Sequence, residues 1–232
     1  MNKRHPCILI LLTLAFTLTL YPINGLTATS AWKAEGKEIC GEPGNQYASD
    51  AVPDGSGGVI AVWEDYRSGV WDIYAQRVDA DGILLWAEEG VPVCTATGNQ
   101  LNPAVCLSDS GGVIIVWEDN RGVDGDFNIY AQKLDMSGAP QWQNNGIAVN
   151  IYADDQDNPR VVPDGAGGAI IIWSDYPTDL SGLYAQRIDA AGTILRLLRI
   201  LISSASTCVD LFRGTDEARS AVQDPVLLII LP

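Results

Sequence analysis

The sequence has 232 residues, of which 47% are hydrophobic, and a formal net charge of −15. A chain of this length can bury a substantial core, and its seven Trp and eight Tyr argue against a disordered protein. The acidic excess disfavours nucleic acid and anionic membrane surfaces as partners, because both attract clustered Lys and Arg.

Residues 1–30 have the pattern of a secretory signal peptide. A basic stretch at 3–5 precedes an apolar run at 8–20, and small residues follow at 28–31, where cleavage is expected. The run is shorter than the roughly 20 residues that a membrane-spanning helix needs. We therefore expect export to the medium, the cell surface or the periplasm with no stable membrane span; an uncleaved anchor is the alternative.

Removal of this segment would also remove the only histidine, His5. A mature chain without histidine excludes Ser-His-Asp and Cys-His nucleophilic sites and His-ligated zinc. An enzyme here would depend on carboxylates, Tyr, Lys, Arg or a cofactor, and no cofactor motif is present. The pairing of the four later cysteines stays open, since export permits disulfides and four cysteines allow three pairings. These residues are Cys40, Cys94, Cys106 and Cys208.

Residues 31–195 consist of three copies of one unit, at approximately 32–85, 86–141 and 142–195. A Gly-Gly-(Val/Ala)-Ile stretch ends in Trp63, Trp117 or Trp173, spaced by 117 − 63 = 54 and 173 − 117 = 56 residues. Two further blocks repeat in step. They are Tyr-Ala-Gln, beginning at Tyr74, Tyr130 and Tyr184, and Trp-x-x-x-Gly, beginning at Trp32, Trp86 and Trp142. A fixed period of this length indicates a repeat architecture.

Each copy is predicted to form four short strands separated by Gly-rich turns. In the second copy these strands lie near Pro103–Leu107, Val113–Trp117, Phe127–Leu134 and Trp142–Val149. Val113–Trp117 is continuously apolar and β-branched, which is typical of a strand buried on both faces. The sequence therefore predicts an all-β fold of tandem four-stranded antiparallel blades, similar to a β-propeller, with three blades that are open or incomplete.

The pattern Asp-Gly-x-Gly-Gly, Trp-x-Asp, Asp-Ile-Tyr-Ala-Gln-Arg-x-Asp-x-x-Gly and Leu-Trp, most complete from Asp54 to Trp86, resembles a repeat of uncharacterised secreted bacterial proteins with propeller-like architecture. The resemblance covers roughly residues 32–195. It implies blades and export, and it brings no established activity.

The repeats are out of register with the predicted blades. Trp32–Cys40 matches an outer fourth strand with no blade before it, so we expect it to complete the blade that begins near Pro159. The assembly would be an open curved array, a ring completed by self-association or a fragment of a longer protein. Residues 196–232 contain none of the repeated blocks, and they are either a cap over an exposed blade edge or the product of a truncation or shifted reading frame.

Three equivalent carboxylates, Asp65, Asp119 and Asp175, follow the repeated Trp. A pair of them at one end of a propeller could hydrolyse glycosides. Recurrence in every copy instead favours a structural role, as acceptors of turn amide groups. The same reasoning applies to Gln76, Gln132 and Gln186, which are expected to satisfy backbone groups.

The second copy has two extra residues between its Trp and Tyr, since 130 − 117 = 13 against 74 − 63 = 11 in the first. The addition falls near Asp124 and Asp126, which together with Asp119 make an oxygen-rich loop and a candidate calcium site. A solvated turn is the alternative.

These observations favour a non-enzymatic exported scaffold that binds an unidentified protein or glycan through its loops. The tandem repeats and the missing histidine support it, and self-association is compatible with it. Two alternatives stay open: a carboxylate-dependent glycan hydrolase on a propeller, and a non-functional fragment of a longer repeat protein.

Overall fold

The computed structural model describes residues 32–200 apart from 123, 152–153 and 176–181, and for 48 and 196–200 it describes the backbone only. The predicted signal peptide and residues 201–232 lie outside the described residues. The described part contains no helix, and so none long and apolar enough to cross a membrane. It forms twelve strands. They are β1 Gln46–Pro53, β2 Val59–Asp65, β3 Asp72–Val78, β4 Val91–Cys94, β5 Gln100–Leu107, β6 Val113–Asp119, β7 Asn128–Leu134, β8 Ile147–Asn150, β9 Gln156–Pro163, β10 Ala169–Asp175, β11 Gly182–Ile188 and β12 Ile194–Ile200.

The strands form three antiparallel sheets, each of four strands that pair in chain order. The first blade is β1–β4, the second β5–β8 and the third β9–β12. In every blade the repeated Trp of the second strand pairs with the repeated Tyr of the third, and their rings stack at centroid distances of 6.2, 6.4 and 6.0 Å. The predicted all-β fold of three tandem blades is confirmed.

The blades pack face to face through their middle strands. Ile60 and Val62 of the first blade pack in one core with Ile115 of the second, and the opposite face of β6 packs against the third blade. All seven residues of β6 are buried, because this strand has a neighbouring blade on each side. The inner strand β5 contacts both β1 and β9, so the first strands of the blades are neighbours, as in a propeller.

The Trp-x-x-x-Gly block joins successive blades. Trp86 lies just before β4 and donates its indole N–H to the carbonyl of Met136 in the second blade, at 3.0 Å. Four residues later, Gly90 has a φ of +83°, and a Cβ there would overlap the ring of Trp63. Glycine is therefore required at this position by both the backbone conformation and the packing of the buried Trp.

The predicted pairing of Trp32–Cys40 with the third blade is wrong. The segment forms no strand and lies against the first blade, where Trp32 donates its indole N–H to the carbonyl of Ala80. The fourth strand of the third blade is β12, which pairs with β11 across a short turn. A local hairpin closes a much shorter loop than a pairing with the distant N-terminal segment, so its entropic cost is lower.

Candidate functional site

The carboxylates after the repeated Trp lie at one end of the blades, which we call the upper end: here β1 begins and the β2–β3 loops lie. The side chain of Asp119 is fully buried and accepts N–H groups from Trp117 at 2.8 Å and from Arg121 at 2.9 Å. The guanidinium of Arg121 also packs over the ring of Tyr130, 3.9 Å from its centroid. In the first blade Asp65 accepts the same N–H groups from Trp63 and Arg67, and Arg67 packs over the ring of Tyr74.

Burial of all three carboxylates, and the electrostatics of Asp65, favour a structural role for them. Burial raises the pKa of Asp65, but hydrogen bonds from Arg67 and Trp63 outweigh it, so the pKa lies below its usual value. A glycosidase acid needs a raised pKa and contact with substrate. Asp65, Asp119 and Asp175 instead lie in three separate sheets, exposed by 0%, 0% and 5%. These three buried aspartates therefore do not support the hydrolase hypothesis, which was based on them.

Gln76 and Gln132 join the third strand of a blade to the turn before its fourth strand. Each donates through Nε2 to a backbone carbonyl, that of Ala87 or of Gln143, and each accepts the N–H of the following Trp through Oε1. Gln186 donates to the carbonyl of Arg187. These contacts agree with the predicted backbone role.

The calcium candidate is not assembled as a single group. Both oxygens of Asp119 face N–H donors inside the second blade. Asp124 is exposed and Asp126 half-buried in the loop that follows. Across the described ranges, no cluster of three or more Asp, Glu, Cys or His side chains is placed to hold a metal ion.

Three of the four cysteines are described, and they are free thiols. Cys94 lies 3.1 Å from the guanidinium of Arg121, and burial raises its pKa to about 12. Cys40 makes the equivalent contact with Arg67 in the first blade. The N-terminal segment thus occupies the place on the first blade that the end of β4 occupies on the second. Cys208 lies outside the described residues.

A cavity of about 590 Å³ lies at the upper end between the first strands of the three blades. We call it the inner cleft. Its polar lining is formed by Tyr47, Ser49, Asp50, Glu64, Asn102, Asn158 and Arg160. The size is that of a small-molecule site, and amide, carboxylate and guanidinium groups converge on it from all three blades.

Irregularities in the inner strands shape this cleft. Asn102 and Asn158 have positive φ angles of 51° and 53°, and the strand register shifts beside each of them. Their backbone N–H groups turn towards the preceding blade and donate to Glu64 and Glu118, both at 2.7 Å. The carboxylates thereby fix the spacing of the blades around the cleft.

An exposed aromatic cluster adjoins the inner cleft. Its members are Tyr47, Tyr66 and Trp71, and the ring of Trp71 lies 5.3 Å from that of Tyr47 and 4.9 Å from that of Tyr66. Tyr47 is 57% exposed and Tyr66 40% exposed. Tyr47 also lines the cleft, so an apolar platform and a polar recess are continuous. The sequence reasoning did not single out these residues.

No protein-family model and no curated protein match the sequence. Solved structures similar to this chain include an endo-arabinase from Bacteroides thetaiotaomicron, with 18% identity, a TM-score of 0.43, and coverage of 66% of this chain and 59% of that one. An N-acetylgalactosamine deacetylase from F. plautii has 13% identity, a TM-score of 0.44, and coverage of 69% and 55%. A fucose lectin from Kordia zhangzhouensis has 14% identity, a TM-score of 0.39, and coverage of 68% and 99%. The chain thus spans less than two thirds of the endo-arabinase and of the deacetylase.

Proposed function

We propose that this protein is an exported, non-enzymatic scaffold that binds a glycan at the upper end of its blades. The observation that carries the proposal is the continuity of the aromatic cluster with the inner cleft. A pyranose ring has one face of C–H groups, which packs against the electron-rich face of an aromatic ring. Its hydroxyls need donors and acceptors at the same time, and the cleft offers both.

The roles divide by position. Tyr47 and Trp71 provide the stacking surface, and the exposed side chains of Asn102, Asn158 and Arg160 provide hydrogen bonds within the cleft. Rigid aromatic side chains lose little conformational entropy on binding, which suits a site built for recognition.

The carboxylates of the cleft support binding rather than hydrolysis. Asp50 accepts the backbone N–H groups of Ala51 and Val105, at 2.9 and 3.0 Å, and Glu64 accepts that of Asn102. The bonds from Val105 to Asp50 and from Asn102 to Glu64 join β5 to the first blade. A general acid would instead have to be free to give its proton to a leaving group.

A glycan array followed by calorimetric titration of the strongest oligosaccharide hit tests this proposal. We expect Tyr47→Ala and Trp71→Ala to weaken binding by about tenfold or more, since aromatic side chains dominate binding energies. Trp32→Ala is the matched control, because Trp32 is also exposed, at 48%, but contacts the turn at the opposite end of β3. Absence of array binding, or equal losses in all three variants, would refute the proposal, and release of reducing ends from the hit would show hydrolysis.

A further inference from the structure

A second cavity, of about 370 Å³, lies at the lower end of the molecule, between the second and third blades. Its walls include the β5–β6 turn at Ser110 and Gly112, the side chains of Lys133 and Trp142, and Ala190 of the third blade. It shares no lining residue with the inner cleft. We call it the lysine cavity, and it is independent of the proposed glycan site.

Lys133 is 7% exposed, although it carries a charge. Its ammonium group donates to the hydroxyl of Ser110 at 2.5 Å and to the carbonyl of Gly167 at 3.2 Å. Both acceptors are neutral. The four ion pairs among the described residues are all formed by arginines, so Lys133 has no carboxylate partner in that part of the chain.

The other two blades show what the second blade lacks. At the equivalent positions Arg77 pairs with Asp54 at 2.9 Å, and Arg187 pairs with Asp164 at 3.0 Å. In the second blade the cation is retained as Lys133, but serine replaces the aspartate at Ser108.

Backbone donors are affected by the same replacement. Asp54 accepts the N–H groups of Ser56 and Gly58 at 2.7 and 2.8 Å. The corresponding N–H groups of the second blade belong to Ser110 and Gly112, which line the lysine cavity and have no carboxylate at residue 108 to bond. Successive backbone N–H groups in such a turn form a concavity that suits an anion.

A buried cation without a counter-charge is unfavourable, and a ligand that supplies the charge relieves that cost. We propose that the lysine cavity binds an oxyanion group, a sulfate or a carboxylate, with the ammonium of Lys133 as its counter-charge. Trp142 provides an apolar wall for the rest of the ligand. The cavity also contains Asp135, whose carboxylate accepts N–H groups of Ser137, Ala139 and Gln141 and is thereby held within its own turn.

Thermal unfolding of the full chain in sodium sulfate, compared with sodium chloride at equal ionic strength, tests the site. We expect Tm to rise at millimolar sulfate, where the site fills, and then with the logarithm of the sulfate concentration. Sulfate also stabilises proteins generally by exclusion from their surfaces, but that effect grows in proportion to concentration, is small at millimolar sulfate and is equal in all variants. The ionic-strength match removes screening differences.

Two variants remove the site in opposite ways. Lys133→Met deletes the charge, and Ser108→Asp restores the carboxylate seen in the other blades. Both should weaken sulfate binding by about tenfold or more, because a charge-assisted contact is lost or already satisfied. Ser108→Asp should also raise Tm in the absence of sulfate, so it remains informative if Lys133→Met folds poorly.

Arg187→Met is the matched control: it removes one positive charge from a paired site and should leave the response to millimolar sulfate unchanged. Equal responses to sulfate in the wild type, Lys133→Met and Ser108→Asp would overturn the proposal. Titrations with glucuronate and glucosamine 6-sulfate then distinguish an acidic saccharide from a free anion as the ligand. Binding of either at least tenfold tighter than inorganic sulfate indicates an acidic saccharide, and equal binding indicates a site for the free anion.

Discussion

Substitution of Asp119 by asparagine should destabilise the protein by about 3 kcal/mol, the lower end of the range for a broken buried ion pair. The Asp119 side chain is fully buried, whereas that of Arg121 is 21% exposed and also donates to the carbonyl of Asn145 at 2.9 Å. Arg121 thus keeps some of its contacts after the substitution, which is why the lower end applies. The new amide group would face the donors of Trp117 and Arg121 with hydrogens of its own.

Urea unfolding followed by tryptophan fluorescence measures this loss. The unfolding free energy of small proteins falls by about 1–3 kcal/mol per molar urea, so the urea midpoint should fall by roughly 1–3 M while this dependence stays unchanged. Asp109→Asn is the control, because Asp109 is an exposed aspartate of the same blade and its replacement should change stability by less than about 0.5 kcal/mol. A loss below about 1 kcal/mol for Asp119→Asn would refute the assignment of this cluster as a main support of the blade.

Two further outcomes follow from the same packing. The pKa of Asp65 is lower in the folded than in the unfolded protein. Its carboxylate therefore stabilises the fold fully above the ordinary carboxyl pKa of about 4, and this stabilisation is lost as the pH falls through the folded-state pKa. Urea unfolding across pH should show the cost of Asp65→Asn in full at pH 6 and shrinking below about pH 4; a constant difference down to pH 2 contradicts this. Gly146→Ala should lower Tm more than Gly111→Ala, since both have positive φ but only at Gly146 would a Cβ overlap a side chain, the ring of Trp117. Equal losses would show that backbone strain alone matters.

The blade architecture could be predicted from the sequence because it depends on features that recur. The Trp spacing of 54 and 56 residues reflects identical positions in successive sheets, and each copy repeats the strand and turn signals of the others. Recurrence also predicted a structural role for Asp65 and Asp119, since a side chain needed in every blade is needed for folding. The strand β12 escaped prediction because residues 196–200 carry no repeated block.

Both candidate sites lie where a copy departs from the repeat. Trp71 has Phe127 as its counterpart in the second copy, and Tyr66 has Asn120. Ser108 and Lys133 change together relative to their counterparts, but only the structure shows that the two positions share Gly167 as an acceptor. A residue that differs from its counterparts can be interpreted once the contacts of those counterparts are known.

The position of the repeat boundary has a consequence for how such chains change length. The boundary at Trp86 falls between β3 and β4, so the start of one unit completes the preceding sheet and simultaneously bonds to the following one through Met136. When a whole unit is duplicated or deleted, each remaining unit therefore meets its neighbours through the same pairs of residues as before. Blade number can vary by recombination without any new interface having to evolve, and only the strand that ends the series must be supplied from outside the repeat.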